Sequence, residues 1–70
     1  MRPNVLKGEM AKHGLTVKYM AGELGLSPVT MGLKVNGRAD FTLTEVRRIL
    51  AVFRQAGRNY TVEELFGLAP

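Results

Sequence analysis

The chain of 70 residues carries a formal net charge of +4, a size that makes one small domain near the lower limit for folding without disulfides or metals. It has no cysteine and one histidine, so neither a disulfide framework nor a zinc site can be built, and no cofactor is expected. The longest apolar run covers residues 49–53, far short of the roughly 20 residues that a membrane helix requires, and the N-terminus lacks a signal-peptide core. We therefore expect a single domain over residues 1–70, soluble and cytoplasmic, with no membrane partner.

The apolar residues follow the helical period and predict an all-α fold of five helices. The first helix is predicted over residues 4–13, with Val5, Leu6 and Met10 on its inner face. Helices two and three are predicted over residues 17–24 and 28–36. The predicted core contains residues from helices two, three and four: Met20, Ala21, Leu24, Met31, Val35, Val46, Ile49, Leu50 and Phe53.

A tight turn separates the second and third helices. Thr16 is placed as the N-cap of helix two, and Gly25 ends that helix because glycine adopts the left-handed conformation without a steric penalty. Ser27 is the next N-cap, with Pro28 at the first helical position, where a missing N–H costs nothing. Ala21 is small where two steeply crossing helices must touch. Residues 16–37 therefore carry the parts of a helix-turn-helix, whose second helix enters the DNA major groove.

Two capping boxes mark the remaining helices. Thr42 and Glu45 open helix four, and Thr61 and Glu64 open a short fifth helix. Gly57 is predicted to end helix four.

The chain also resembles a known family. The matching positions are Leu15, Thr16, Ala21, Leu24, Gly25, Leu26, Ser27, Thr30, Met31, Asn36 and Gly37, with further matches at residues 41–45 and 64–66. On these residues it resembles the lambda-repressor and Cro class of phage and bacterial regulators, also called the xenobiotic-response-element class. The resemblance covers about residues 4–66. It implies a five-helix DNA-binding domain that acts as a small phage-type repressor or Cro-like transcriptional regulator on double-stranded DNA.

The resemblance also implies which residues touch bases. In this class the first two residues of the recognition helix and the residue after its central glycine or serine do so, and here these are Pro28, Val29 and Leu33. Gly32 belongs to the same outward face, where a missing side chain lets the helix backbone approach the DNA. The chain departs from the family because these positions offer almost no hydrogen-bonding groups. Val29 and Leu33 are expected to read thymine methyl groups by apolar contact.

A second set of residues is expected to contact phosphates and to position the protein without reading sequence. The resemblance implies Thr30 and Asn36, and it implies the position of Val17, where the family commonly has glutamine. Basic charge adds Lys18, Lys34 and Arg38. Between residues 12 and 38, four basic residues against Glu23 give a net charge of +3, whereas four arginines and four acids cancel in residues 39–70. The excess charge is therefore predicted to lie on the helix-turn-helix, with Arg47 and Arg48 as a solvated face.

The apolar recognition helix leaves two hypotheses open. One is a DNA reader that uses methyl contacts, shape and phosphates. The other is a protein-interaction module of antitoxin or anti-repressor type, because clustered exposed apolar residues often mark such surfaces. We favour the first because positive charge is retained around the motif.

Binding as a homodimer is expected, since one small helix-turn-helix touches few bases. The predicted interface is the segment of residues 60–68, because its apolar residues Leu65, Phe66 and Leu68 exceed what so short a helix can bury inward. An enzyme is not expected. His13, near the end of helix one, fits a favourable interaction with the helix dipole or plain exposure, and no nucleophile with a partner base is present. Should the chain be complete, it has no room for an effector domain, and no small-molecule ligand is expected.

Overall fold

The computed structural model describes residues 2–67, and every regular element in that range is an α-helix. The five helices are α1 (Leu6–Lys12), α2 (Val17–Leu24), α3 (Pro28–Val35), α4 (Leu43–Gln55) and α5 (Val62–Phe66). The predicted all-α fold class is confirmed. None of these helices is both long enough and apolar enough to cross a membrane.

The starts of α2 to α5 lie where the sequence places them because the capping bonds are local. In each case a hydroxyl accepts a hydrogen bond from the backbone N–H three residues later, which satisfies a donor that has no partner inside the helix. These caps are Thr16, Ser27, Thr42 and Thr61. Glu45 and Glu64 complete the two predicted capping boxes by accepting from the backbone N–H of the cap residue.

Helix α1 is shorter than predicted. No side chain caps its N-terminus, and the backbone N–H groups of Asn4 and Val5 instead donate to the carbonyl of Leu65, at 2.9 and 3.2 Å. Residues 4 and 5 therefore belong to a contact with α5. Val5 is half-exposed, so its predicted place on the inner face is wrong.

The core contains most of the predicted residues and several more. The buried residues are Leu6, Met10, Met20, Ala21, Met31, Val35, Phe41, Val46, Ile49, Val52, Phe53, Leu65 and Phe66. Leu24 and Leu50, predicted as core, are only partly buried and pack against its edge. The sequence reasoning did not include Phe41, Val52, Leu65 and Phe66 in the core.

The structure contradicts the basis of the predicted dimer interface. Leu65 is 0% exposed and Phe66 is 7% exposed, and the ring of Phe66 packs edge-on against Phe41 with centroids 5.6 Å apart. Both side chains are buried within the protomer, so neither offers surface to a second copy. Leu68 lies outside the described residues.

His13 lies at the C-cap of α1, the end of the helix where the dipole favours positive charge, and it is not plainly exposed. Its ring is half-buried and lies edge-on to Phe53 with centroids 5.9 Å apart. Its Nε2 is 3.3 Å from the hydroxyl of Tyr60, and that hydroxyl donates to the carboxylate of Glu9. The Tyr60 hydrogen bond, with help from Lys12, holds the pKa of Glu9 below its ordinary value despite partial burial. This cluster joins α1 to the loop before α5.

Candidate nucleic-acid interface

Helix α3 presents the outward face that the sequence predicts. It packs mainly on α2, and its inner side chains Met31 and Val35 are buried. On the opposite side Val29 is 75% exposed and Leu33 is 44% exposed, and Pro28 is exposed at the N-terminus of the helix. An exposed pair of aliphatic side chains one helical turn apart is an unusual use of surface. Its contact with DNA stays a prediction.

Gly32 leaves a gap in this face. A Cβ atom built on Gly32 meets nothing within 4 Å apart from its own helix. Because Gly32 lies between Val29 and Leu33 on the helix surface, the backbone is accessible there from outside the protein. The position therefore does not require glycine for internal packing.

Lys18 and Arg38 belong to the segments that precede and follow α3 in the chain. Lys18 lies in the first turn of α2 and is exposed, and Arg38 is exposed just after α3. Gly37, at φ +77°, fixes where Arg38 leaves the helix: the N–H of Arg38 donates to the carbonyl of Leu33 at 2.8 Å, and that of Gly37 to Lys34. Within residues 2–67, neither cation forms an ion pair. Both predicted phosphate-contacting side chains are thus available to solvent.

Lys34 is not available, which corrects the prediction that it contacts phosphate. Its ammonium lies 2.6 Å from Glu45 Oε1, with each side chain only 13% exposed, and it also lies over the ring of Phe41. Burial alone would raise the pKa of Glu45, but hydrogen bonds from Lys34 and from the backbone N–H of Thr42 outweigh it and lower the pKa. Lys34 therefore ties α3 to α4 and leaves little charge for a ligand.

Three other predicted phosphate-contacting residues are partly engaged inside the protein. Val17 is partly buried and packs against the core, so its side chain is engaged within the protein. The hydroxyl of Thr30 accepts from Ser27 Oγ at 3.0 Å. The side chain of Asn36 donates to the carbonyl of Gly32 at 2.9 Å and accepts from Lys7 Nζ at 3.1 Å.

Two exposed residues near the face were missed. Lys7 reaches the end of α3 through Asn36, although 29 positions separate them in sequence. No local pattern signals that contact. Tyr19 is half-exposed on α2, one position after Lys18. Its position in a predicted helix, directly after Lys18, is the sequence feature that could have identified it.

Positive charge is distributed more widely over the surface than the sequence count predicts. Glu9 pairs with Lys12 and Glu45 pairs with Lys34, so two of the four cations between residues 12 and 38 are neutralised. On α4 the exposed arginines 47, 48 and 54 form no ion pair within the described range, because Asp40 pairs with Arg2 and Glu45 with Lys34. The formal charges of residues 39–70 sum to zero, but within the described range these arginines are not paired with the acids of the same segment.

Comparison with known proteins finds no family model that matches the chain, and no similar curated protein or solved structure.

Proposed function

We propose that the protein is a sequence-specific regulator of transcription that binds double-stranded DNA through a helix-turn-helix formed by α2 and α3. The proposal includes the finer fold assignment, a lambda-repressor-like DNA-binding domain. One observation carries it: α3 holds Val29 and Leu33 outward around the open backbone of Gly32, and the exposed Lys18 on α2 and Arg38 after α3 form no ion pair within residues 2–67. A small phage-type repressor or Cro-like protein fits this arrangement.

In the proposed complex the basic residues and the apolar residues contact different parts of the DNA. Lys18 and Arg38 contact phosphates, which fix the register of α3 in the groove and carry no sequence information. Val29 and Leu33 contact thymine methyl groups, the apolar feature of the major groove. Pro28 occupies the N-terminal end of α3, which enters the groove first. Because methyl contacts discriminate less than bidentate hydrogen bonds, intrinsic specificity is expected to be modest.

Selection of bound sequences from random duplex DNA with the purified protein tests the proposal. The expected result is an enriched, two-fold symmetric motif that contains thymines in each half-site. Recovery of unenriched DNA, with an affinity that does not depend on sequence, would contradict a sequence-specific function.

The second candidate function is a protein-interaction module of antitoxin or anti-repressor type. The observation that favours it is the exposure of Val29 and Leu33 together on one face of α3, since clustered exposed apolar residues often mark a surface that a protein partner covers. It ranks second because the cations beside α3 have no role in an apolar protein contact. The two functions predict opposite effects of one substitution, Leu33→Ala, as described in the Discussion.

A further inference from the structure

An open cleft of about 300 Å³ lies between the start of α1 and the end of α3. Its lining residues are Pro3, Asn4, Lys7, Val35, Asn36 and Gly37. No carboxylate lines it, and Lys7 is its one cation. A water molecule occupies roughly 30 Å³ in the liquid, so the cleft has room for a ligand group with its hydration.

The fold holds the walls of this cleft in place from both ends. The backbone of Asn4 and Val5 is bonded to α5 through the carbonyl of Leu65. At the other end, Arg2 donates to the carbonyl of Gly37 and forms an ion pair with Asp40 at 2.9 Å. Asp40 is therefore occupied by Arg2, and Lys7 has no carboxylate partner within residues 2–67.

Lys7 and Asn36 are arranged to donate together. Asn36 Oδ1 accepts one hydrogen bond from the Lys7 ammonium at 3.1 Å, and the other two N–H donors of Lys7 have no partner within residues 2–67. One N–H of the Asn36 amide donates to the carbonyl of Gly32, so the second remains. An exposed ammonium with an adjacent amide donor and no acid is suited to an anion with several oxygen acceptors.

We propose that this cleft binds a phosphate of the DNA backbone, with Lys7 as the charged donor and Asn36 as the residue that orients it. The inference rests on the proposed DNA-binding function and adds a contact from α1 to it. Because Asn36 is at the end of α3, a phosphate held there fixes how deeply that helix lies in the groove. Lys7 thus takes the phosphate-contacting role that was predicted for Lys34.

The first experiment compares Lys7→Gln with Arg54→Gln, which removes the same charge from an exposed site on α4 outside the cleft. Both proteins are titrated with a duplex of the selected sequence and a random duplex of equal length, at several salt concentrations. For Lys7→Gln the slope of log K against log salt is expected to fall by about one unit, with equal loss on both duplexes. For Arg54→Gln the slope is expected to stay at the wild-type value, and Lys7→Arg should retain it as well.

The second experiment locates the phosphate. Duplexes in which single phosphates are replaced by uncharged methylphosphonates are bound to the wild-type protein and to Lys7→Gln. One phosphate in each half-site should be sensitive in the wild type and insensitive in Lys7→Gln. If the same phosphates are sensitive in both proteins, or if Lys7→Gln and Arg54→Gln lower the salt slope equally, the cleft does not bind phosphate. If the wild-type protein binds neither duplex, the proposed function itself fails and this inference fails with it.

Discussion

At the scale of the residue, glycines that look alike in the sequence differ in their surroundings. Gly22 and Gly32 lie inside helices, where each costs roughly 1 kcal/mol relative to alanine, and a Cβ on either meets nothing within 4 Å. Internal packing therefore explains neither. Only Gly32 lies between the exposed side chains of Val29 and Leu33.

This difference predicts that stability and DNA binding separate at Gly32. Gly32→Ala and Gly22→Ala should each raise the free energy of unfolding by about 0.5–1 kcal/mol, because alanine loses less backbone entropy in a helix. Thermal unfolding followed by circular dichroism measures this gain. Gly32→Ala should also weaken DNA binding, since its methyl group keeps the backbone of α3 from the DNA, whereas Gly22→Ala should bind normally. Equal DNA affinities for the two variants would contradict a close approach at Gly32.

Glu45 shows how one carboxylate can serve two contacts. It completes the capping box of α4 by accepting from the N–H of Thr42 at 2.9 Å, and it pairs with Lys34 at 2.6 Å. Glu64 makes the equivalent capping bond in α5 but forms no ion pair within residues 2–67. Comparing the same substitution at the two glutamates therefore separates the contribution of the ion pair to stability from that of the capping bond.

Glu45→Gln is expected to lower the free energy of unfolding at pH 7 by about 1 kcal/mol, because glutamine keeps the capping bond and loses the charge-assisted one. Glu64→Gln should cost clearly less. Since the pKa of Glu45 is lowered in the folded state, its contribution is complete above the ordinary carboxyl pKa of about 4.3 and is lost as the pH falls through the lower folded value. Urea unfolding between pH 7 and pH 3 should show a smaller acid-side loss for Glu45→Gln than for wild type. A parallel loss in both proteins would mean that the ion pair contributes nothing.

At the scale of the element, α3 is the helix whose surface is least explained by the fold. Its inner side is fixed by Met31 and Val35, while its outer side leaves Val29 and Leu33 uncovered. Leu43, at the start of α4, is also exposed, to 59%, but lies on another element. It provides a matched control for apolar truncation.

Leu33→Ala is expected to reduce the preference for the selected DNA sequence over random DNA by on the order of 1 kcal/mol, with the salt slope unchanged, because only sites with the right thymine methyls lose contact. Leu43→Ala should leave this preference unchanged. Competition binding with the two duplexes measures both. If Leu33→Ala instead leaves DNA affinity intact and abolishes capture of a protein partner, the protein-interaction function is the correct one.

At the scale of the whole molecule, the surface has more than one basic region. The exposed arginines of α4 form no ion pair within the described range, and Lys7 adds positive charge beside the end of α3. These regions favour long-range attraction to polyanions in any orientation. The orientation of the protein on the DNA then depends on the specific contacts made by residues in and next to α3.

Two copies are expected on one duplex, with half-sites about one helical turn apart, because a single domain of this size touches few bases. Footprinting and the protein–duplex stoichiometry at saturation measure this arrangement. The interface must use surface other than Leu65 and Phe66, which are buried within the protomer. A footprint limited to one half-site at a 1:1 stoichiometry would contradict the dimer.

The sequence determined the helices. Thr16, Ser27, Thr42 and Thr61 form bonds that span only three residues, and Gly25 and Gly37 end helices through bonds that span five at most. Because these contacts are local, the starts of α2 to α5 and the inner and outer faces of α3 were predictable, whereas the start of α1, which no side chain caps, was not.

Which charges remain available and where α5 packs depend on the folded arrangement of the whole domain. Lys34 meets Glu45 and Lys7 meets Asn36 across separations of 11 and 29 positions, and several other partners were equally possible on composition alone. Leu65 and Phe66 are buried because α5 packs against α1 and against the ring of Phe41. Helix ends depend on neighbours in the chain, whereas ion pairs and burial depend on which elements meet, and that is fixed only when the whole domain packs.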